Sequence, residues 1–489
     1  MSVPTPAPTK TLPGNQPPPG VAATATRIAN GELTAAAATE TALTAIAEHN
    51  PQLHAFVAVF GEHARHRAAE LDAQAAAGAQ LGPLHGVPIA VKDENDIAGT
   101  VTGLGGRAFT TPAAADSEIV ARLRRAGAVI VGKTAMPEFG IWPFTESRAS
   151  GLTRNPWTPP DAPPRSPAGS SGGSAAAVSA GLVPAAIGGD GGGSIRLPAA
   201  WCGLFGLKLG RGRITCAPNP DLWRSLGTLG PLTRSVDDAA LIYDAIAGTI
   251  ATDRWRAADP LPALRAAAAT DPGPLRIAVA AIPPVRGIPA PDPAVLAALA
   301  DTAAELAAAG HEVVETDPRY PLVTVEFLME MLGGIRDEAA RADRPDLLEA
   351  RTRRIVRLGA LADGPRRAAW AQRRLVRVSD DWNTGFFRTG TGGVDVLLTP
   401  TIGTTAVLAG QLDSASLIHA ARVALPVAAY TSIWNLLGNP AASLPAGFDD
   451  AALPIGVQIV AAPGREDLVV AVAAQLERAN ARHRVRTPY

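Results

Sequence analysis

The sequence predicts an α/β protein that folds as one large domain around a mixed β-sheet. The chain has 489 residues, of which 47% are hydrophobic and 18% are charged, so it can bury a large core. Short apolar runs typical of strands alternate with Ala-rich segments typical of helices, which is the pattern of a layered α/β fold. A candidate linker lies at 251–273, but strands and helices continue after it, and this continuity favours a single domain.

The order of these runs predicts each element in turn. Helices are expected in Ala-rich or amphipathic segments at 22–48, 62–78, 117–126, 237–248, 295–309, 416–437 and 466–482. Strands are expected at the short apolar runs 55–60, 87–91, 128–131, 275–281, 311–315, 394–398, 443–445 and 455–460. Residues 320–390 are charged and are predicted to be mainly helical, whereas the Gly-, Ser- and Pro-rich region at 150–215 receives no element.

Composition excludes several classes of function. The formal net charge is −1, and no basic stripe suits nucleic acid or an anionic membrane. No apolar run reaches the ~18 residues that a membrane-spanning helix needs. Residues 1–21 are Pro-rich and lack an apolar signal region, which predicts a disordered N-terminal tail. Cys202 and Cys216 suggest neither a metal site nor a disulfide framework, so we expect a reduced, cytoplasmic protein without metal or cofactor, as a monomer or homodimer.

The basic residues are unevenly chosen, since only four of the 44 are lysines. One of these, Lys92, directly follows the apolar run at 87–91. Lysine can lose its proton where arginine cannot, so this position suits a buried amine that acts as a base. A lysine that extends from a strand end towards solvent is an equally good interpretation of the spacing alone.

The block at 166–208 carries the strongest functional signal. Two serines flanked by glycine, Ser170 and Ser194, lie 24 positions apart, where the backbone can turn sharply and present N–H groups. The apolar residues within the block argue against a flexible linker. The absence of a Gly-Lys-Ser/Thr sequence after these glycines argues against a phosphate-binding loop.

Two kinds of serine hydrolase remain for this block. Residues 169–173 match the G-x-S-x-G elbow of α/β-hydrolase esterases with Ser171 at the centre, but the prolines before it oppose the strand that an elbow requires. Such an esterase would also need an essential histidine, for which the candidates are His311, His419 and His483. A hydrolase that uses a lysine fits better, although no S-x-x-K sequence occurs and the lysine must come from elsewhere in the fold.

On these residues the chain resembles the amidase signature family. GSSGGSAAAVSAGLVPAAIGGDGGGSIRLPAAWCGLFGLK at 169–208 matches that family's signature, including the 24-residue interval between the serines. Flanking matches are GVPIAVKD around Lys92, GPLTRSVDDAAL at 230–241, NLLGNPAASLPAG at 435–447 and LPIGVQIVAAPGRED at 453–467. The resemblance implies one amidase signature domain over 22–489, a twisted mixed sheet covered by helices on both faces, with a variable helical segment at about 320–390.

The resemblance also implies a mechanism and assigns its residues. Ser194 is the expected nucleophile, Ser170 the bridging serine after a cis peptide bond, and Lys92 the base. Neutral Lys92 would take a proton from Ser170 as Ser170 takes one from Ser194, and burial would favour that neutral amine. The expected oxyanion donors are the backbone N–H groups of Gly191, Gly192, Gly193 and Ser194. The expected supporting residues are Ser171, Asp190 and Arg196.

Two features of this sequence bear on the expected mechanism. Asp93, Glu94 and Asp96 follow the lysine and would oppose its neutral form, so we expect them to point elsewhere or to pair with other partners. The family usually has threonine at the positions of Gly189 and Gly191, so we expect a looser loop or more space beside the substrate carbonyl.

The substrate is predicted to be a small molecule with an apolar or aryl amide, and esters or carbamates are included. Aromatic and apolar residues near the matched motifs are the candidate pocket: Trp142, Phe144, Leu222, Trp223 and Trp434. Core packing explains each of them equally well. A glutaminase subunit of an amidotransferase is one alternative function, although 223–231 lacks the acidic residue expected there. The α/β-hydrolase-type esterase and a non-catalytic assembly subunit are two further hypotheses.

Overall fold

The computed structural model of the chain describes residues 18–219, 223–362, 364–387, 393–412, 415–480, 483 and 488. Most of the predicted tail, 1–17, and the pocket candidate Leu222 lie outside these residues. Residues 18–20 are held against the domain, because Arg234 Nη2 donates to the carbonyl oxygens of Pro18 and Pro19 at 3.0 and 3.2 Å.

Helices and strands alternate through most of the chain. The helices are α1 (Val21–Ala29), α2 (Ala35–Leu53), α3 (Gly61–Ala76), α4 (Glu118–Arg125), α5 (Gly172–Ser179), α6 (Arg196–Cys202), α7 (Val236–Ile246), α8 (Leu264–Ala268), α9 (Pro293–Ala308), α10 (Thr324–Ala339), α11 (Ala350–Ala362), α12 (Pro365–Phe386), α13 (Leu417–Ala428), α14 (Ser432–Leu437) and α15 (Glu466–Ala479). The strands are β1 (Phe56–Val59), β2 (Pro88–Lys92), β3 (Val129–Thr134), β4 (Glu146–Ser147), β5 (Gly151–Leu152), β6 (Ala185–Asp190), β7 (Phe205–Lys208), β8 (Thr228–Thr233), β9 (Arg276–Val279), β10 (Glu312–Glu315), β11 (Val396–Pro400), β12 (Ala441–Phe448) and β13 (Pro454–Ala461).

Eleven of these strands form one mixed sheet, in the order β1-β3-β2-β6-β8-β7-β12-β13-β11-β9-β10. Strand β2 pairs in parallel with β3 and β6, and β9 pairs in parallel with β10 and β11. The central strands from β6 to β11 pair antiparallel. This arrangement confirms the predicted α/β fold with a mixed sheet in a single domain.

Helices cover both faces of the sheet, and alternate residues of β2 demonstrate it. Ile89 and Val91 join an apolar cluster that contains residues of α7 and α15, whereas Ala90 joins a second cluster that contains residues of α2 and α5. Successive side chains of a strand point to opposite faces, so the two clusters lie on opposite sides of the sheet. The end of β2 is therefore buried in apolar surroundings on both sides.

Several parts of the chain differ from the sequence-based expectation. The predicted helices at 22–48 and 416–437 are each divided into two, α1 with α2 and α13 with α14. The region at 150–215 carries β5, α5, β6, α6 and β7, none of which the sequence revealed. Strand β6, for example, reads AAIGGD and lacks large apolar side chains. The candidate linker contains α8, whose Leu264 is fully buried, so it is part of the domain.

Two further observations concern the membrane and the thiols. No helix within the described ranges is long and apolar enough to cross a membrane. Cys202 and Cys216 are not joined by a disulfide bond. Cys202 is buried, and that burial raises the pKa of its thiol, so the reactive thiolate is disfavoured there.

The burial of the sheet predicts a large difference between core and surface substitutions. Leu398 lies in β11 and is fully buried, so Leu398→Ala should lower the free energy of unfolding by about 2–5 kcal/mol. Ile418 on α13 is 83% exposed, and Ile418→Ala should change it by less than about 0.5 kcal/mol. Thermal unfolding of both variants checks this, and equal losses of stability would contradict the assigned core.

Candidate active site

Two neighbouring parallel strands bring the predicted catalytic residues to one edge of the sheet. Lys92 is the last residue of β2, and Asp190 is the last residue of β6, which pairs with β2 in parallel. Ser170 lies just before α5, and Ser194 lies in the loop between β6 and α6. Loops at the carboxyl ends of parallel strands are where open α/β sheets place their ligand sites.

The Lys92 amine lies among three oxygen atoms. Its Nζ is 2.9 Å from Ser170 Oγ, 3.1 Å from Glu94 Oε2 and 3.4 Å from the Gly189 carbonyl oxygen. The side chain is buried, as is every residue of β2. The predicted base and the predicted bridging serine are therefore in direct contact.

Opposing effects act on the protonation of Lys92. Burial lowers the pKa of its ammonium below the ordinary value for lysine, whereas the carboxylates of Glu94 and Asp190 act in the opposite direction. Asp93 pairs with another group, as expected, since its Oδ1 lies 3.6 Å from Lys133 Nζ. The same expectation is wrong for Glu94, whose carboxylate turns inward to Lys92.

A backbone hydrogen bond links the segments that carry Ser170 and Ser194. The Gly169–Ser170 peptide bond is cis, as the resemblance implies. Ser171 N–H donates to the Ser194 carbonyl oxygen at 3.3 Å, and Ser171 Oγ donates to the Gly189 carbonyl oxygen at 3.1 Å. Ser170 is 2% exposed and Ser194 is 8% exposed, so the predicted nucleophile lies nearer to solvent than the bridging serine.

A buried ion pair fixes the loop that carries Ser194. Arg196 Nε and Nη2 donate to the two carboxylate oxygens of Asp190 at 3.0 and 2.9 Å, and both residues are fully buried. The same carboxylate accepts from the N–H groups of Gly193 and Ile195 at 2.7 and 3.2 Å. Arg196 holds the pKa of Asp190 well below its usual range, so this carboxylate stays charged.

Residues that the sequence did not single out complete this network. Asn435 Nδ2 donates to the carbonyl oxygen and to Oδ1 of Asp190 at 2.8 and 2.9 Å. Thr431 Oγ1 donates to the Gly192 carbonyl oxygen at 2.7 Å. Both lie in or next to α14, and Asn435 opens the family motif NLLGNP, which was the one available signal.

Large side chains pack against Gly189 and Gly191, the two positions at which the family usually has threonine. A Cβ atom at Gly189 would overlap Glu94 Oε1, and a Cβ atom at Gly191 would lie 2.7 Å from the Trp223 ring. The expectation of extra space beside the carbonyl is therefore wrong, because Glu94 and Trp223 fill it. Close packing against these side chains leaves no room for threonine in the present arrangement.

Helix α10, from the variable segment, reaches the same loop. Its Gly334 allows the backbone of Trp223 to approach, since a Cβ atom there would lie 2.6 Å from Trp223 Cα. Phe327 on α10 faces Gly192, where an added Cβ atom would lie 3.7 Å from Phe327 Cζ. Trp223 Nε1 donates to the Phe139 carbonyl oxygen at 3.2 Å, which orients its ring. Two aromatic rings thus lie against consecutive glycines of the loop.

The remaining candidate pocket residues have different surroundings. Phe144 is buried and packs against Trp201, with 6.4 Å between ring centroids. Trp434 is fully buried in an aromatic cluster with Tyr320 and Trp382. Trp142 is half-buried and contacts two apolar clusters.

The histidines that an esterase would need are engaged elsewhere. His311 Nδ1 accepts from Leu275 N–H at 3.1 Å, and its Nε2 lies 2.8 Å from Gln475 Oε1. His483 contacts the Pro445 carbonyl oxygen and Glu305. His419 lies in the exposed first turn of α13. Ser171 Oγ is hydrogen-bonded to the backbone of Gly189, and within the described chain no histidine contacts it.

Comparisons with known proteins agree with this geometry. The model of a family described as Amidase matches residues 37–470. The putative amidase AmiB2 of Mycobacterium tuberculosis is 43% identical over 472 residues, which cover 94% of this chain and 96% of that protein. A glutamyl-tRNA(Gln) amidotransferase subunit of a Synechococcus species is 34% identical, with 92% of this chain and 95% of that protein covered.

Solved structures share the fold over nearly the whole chain. A 6-aminohexanoate cyclic dimer hydrolase bound to its substrate has a TM-score of 0.86 and 32% identity, with 96% of this chain and 98% of that chain covered. A bacterial aryl acylamidase of the amidase signature family has a TM-score of 0.82 and 25% identity, with 94% and 96% covered.

The Asp190–Arg196 pair predicts a specific loss of stability. Arg196→Met would leave Asp190 charged and buried without its partner, which should cost about 3–5 kcal/mol of unfolding free energy. The exposed pair between Asp237 and Arg265 is the control, and Arg265→Met should cost less than about 1 kcal/mol. Thermal unfolding measures both, and equal effects would contradict the role assigned to the buried pair.

Proposed function

Because the chain belongs to the amidase family and is a hydrolase that acts on amide bonds, we propose that it works through a seryl acyl-enzyme formed by Ser194, Ser170 and Lys92. The observation that carries this proposal is the 2.9 Å contact between Lys92 Nζ and Ser170 Oγ. A serine hydroxyl is a weak nucleophile and needs a base within hydrogen-bond reach. A neutral Lys92 meets that need through Ser170.

The chemical steps follow from this arrangement. Lys92 Nζ takes the proton of Ser170 Oγ as Ser170 takes that of Ser194, and Ser194 Oγ bonds to the carbonyl carbon. The proton then returns through Ser170 to the nitrogen of the leaving amine, and the carbon–nitrogen bond breaks. Water attacks the acyl-enzyme by the same route and releases the acid.

The oxyanion of the tetrahedral intermediate needs preorganised donors. Gly193 N–H is committed to Asp190 Oδ1 at 2.7 Å. Within the described chain, no hydrogen bond occupies the N–H groups of Gly191, Gly192 and Ser194, and we assign the oxyanion contacts to these three. The network of Asp190 and Arg196 supports them, because it fixes the backbone between the two ends of this loop.

We further propose that the acyl or amine group of the substrate is apolar or aromatic, in amides and also in esters or carbamates. Trp223 and Phe327 lie against Gly191 and Gly192, and under the proposed oxyanion contacts they border the space of the substrate carbonyl. Aromatic rings favour flat apolar groups by offset or edge contacts. The aryl acylamidase among the similar structures is consistent with this class of substrate.

The amidotransferase relative makes a glutaminase the second candidate. Glutamine therefore belongs in the substrate panel, beside anilides, aryl carbamates and acetamide. The aryl proposal expects release of aniline to have the highest kcat/KM. Preference for glutamine, or for acetamide over every aryl substrate, would contradict it.

The triad predicts the loss of both chemistry and labelling. Ser194→Ala should lower kcat by about 10⁴-fold or more and should abolish acyl-enzyme formation in mass spectrometry. Lys92→Met should be similarly inactive, and in the wild type kcat/KM should rise with pH as Lys92 becomes neutral. Ser150→Ala, in the β4–β5 turn, is the control and should keep full activity. Turnover by Ser194→Ala, or no labelling of Ser194 by a serine-reactive inhibitor, would refute the proposal.

The aromatic border predicts a selective change in substrate preference. Phe327→Ala should raise KM for an anilide about tenfold or more, since burial of an aromatic contact contributes about 1.5 kcal/mol or more. It should change KM for acetamide little. Trp370→Ala on α12 removes an exposed ring and is the control. Equal changes for both substrates would contradict a pocket bordered by Phe327.

A further inference from the structure

We propose that Glu94 is a positioning residue of the proton relay, which orients the Lys92 amine towards Ser170 and balances the positive charge that forms there. The inference rests on the proposed function of Lys92, Ser170 and Ser194. It extends the relay by one carboxylate, so that the order becomes Ser194, Ser170, Lys92 and Glu94.

The contacts around Lys92 Nζ define its orientation. A neutral amine has two N–H groups and one lone pair, arranged tetrahedrally about the nitrogen with the side-chain carbon. Glu94 Oε2 at 3.1 Å and the Gly189 carbonyl oxygen at 3.4 Å provide acceptors for the two N–H groups. The lone pair then points to the remaining neighbour, Ser170 Oγ at 2.9 Å. A buried aspartate orients the histidine of other serine hydrolases in the same physical way.

The space that Glu94 occupies exists only because residue 189 is glycine. The Glu94 side chain is buried at 6% exposure, and its Oε1 would overlap any Cβ atom at Gly189. That oxygen has no hydrogen-bond partner among the described residues. An unpartnered buried carboxylate oxygen is costly, so an ion pair to Lys92 is the main compensation for placing Glu94 here.

The charged groups around the pair favour a positive lysine. Asp190 at the end of β6 attracts the Lys92 ammonium, in addition to Glu94 itself. On α10, Glu338 interacts repulsively with Glu94, and Arg341 pairs with Glu338. Glu94 therefore raises the pKa of Lys92, whereas burial lowers it.

The two proton transfers explain why a carboxylate beside Lys92 helps, although it raises the pKa of the base. When Ser194 attacks, one proton moves from Ser194 to Ser170 and one from Ser170 to Lys92, so a buried ammonium forms beside an oxyanion. The Glu94 side chain lies in contact with that ammonium, since its Oε2 is 3.1 Å from Lys92 Nζ. The carboxylate thus stabilises the state after proton transfer, at the cost of a higher pH for the neutral base.

Replacement of Glu94 by its neutral isostere separates these two effects. In Glu94→Gln the pKa of Lys92 should fall, so the acid limb of the kcat/KM profile should move down by about one pH unit or more. The plateau of kcat above that limb should fall about tenfold or more, because the ammonium loses its counter-charge. Steady-state kinetics with an anilide across about pH 5–10 measure both, because burial lowers the pKa of Lys92 below the ~10.4 of free lysine.

A purely structural role for Glu94 would lower activity without moving the limb. Asp96→Asn is the matched control, since Asp96 lies in the same segment and acts electrostatically on Lys133 rather than on Lys92. An unchanged limb and plateau in Glu94→Gln, while Ser194 is still labelled by a serine-reactive inhibitor, would overturn this inference and leave the triad intact. Absence of labelling in the wild type would instead overturn the proposed function.

The lysine can also be observed directly, independently of turnover. Only four lysines are present, so ¹³C-lysine NMR resolves few signals, and the Lys92→Met spectrum assigns one of them. Burial and Arg196 lower the pKa of Lys208 to about 7, so this second buried amine must be assigned as well. Titration in a Ser194→Ala background should give a lower pKa for Lys92 when Glu94 is replaced by glutamine, and an equal pKa would overturn the inference.

Reciprocal substitutions test the placement of Glu94 if the glutamine variant folds poorly. Gly189→Ala alone should destabilise the protein, because its Cβ atom overlaps Glu94 Oε1. Glu94→Ala with Gly189→Ala should recover most of the lost stability, since the space is then free. Additive losses in thermal unfolding would show that Glu94 does not fill this space and would overturn the inference.

Discussion

The buried contact between Asp190 and Arg196 is the interaction on which the site depends. Its carboxylate accepts hydrogen bonds from the loop that follows β6, and its guanidinium reaches α14 and Gln458 on β13. One ion pair therefore connects the loop that carries Ser194 to the middle of the sheet. A glycine-rich loop gains little order from its own side chains, so an external clamp of this kind is what makes its N–H groups a fixed surface rather than an average over conformations.

Packing at the loop depends on its glycines, because side chains from other segments fill the space where a glycine has no side chain. Glu94 and Trp223 occupy the space that threonine would take at positions 189 and 191. Each glycine is therefore required by a large side chain from a distant part of the chain. The pair at Gly189 places Glu94 beside Lys92, and the pair at Gly191 places the Trp223 ring against the loop that carries Ser194. In the proposed mechanism, proton transfer and substrate choice are thus both influenced from neighbouring positions on one loop.

The sequence predicted those features that depend on local pattern or on a long motif. The alternation of apolar runs predicted most strands, and the signature block identified the segment where Lys92, Ser170 and Asp190 meet. It did not predict β6, because a strand of alanine and glycine lacks the side chains by which strands are recognised. The sequence also predicted the wrong orientation for Glu94, which turns towards Lys92, and it did not single out Phe327. The position of each side chain depends on which distant glycine it faces, and such tertiary contacts leave no local pattern.

All three lysines in the described chain are buried, Lys92 and Lys133 at 1% exposure and Lys208 at 2%, and the exposed cations there are arginines. Arginine keeps its charge far above the pH at which surface lysines begin to lose theirs. The positive charges at the surface are therefore insensitive to alkaline solution, in the range where a buried amine turns neutral. Amine-directed reagents therefore meet no exposed lysine within the described ranges, which makes these lysines unsuitable for immobilising the protein.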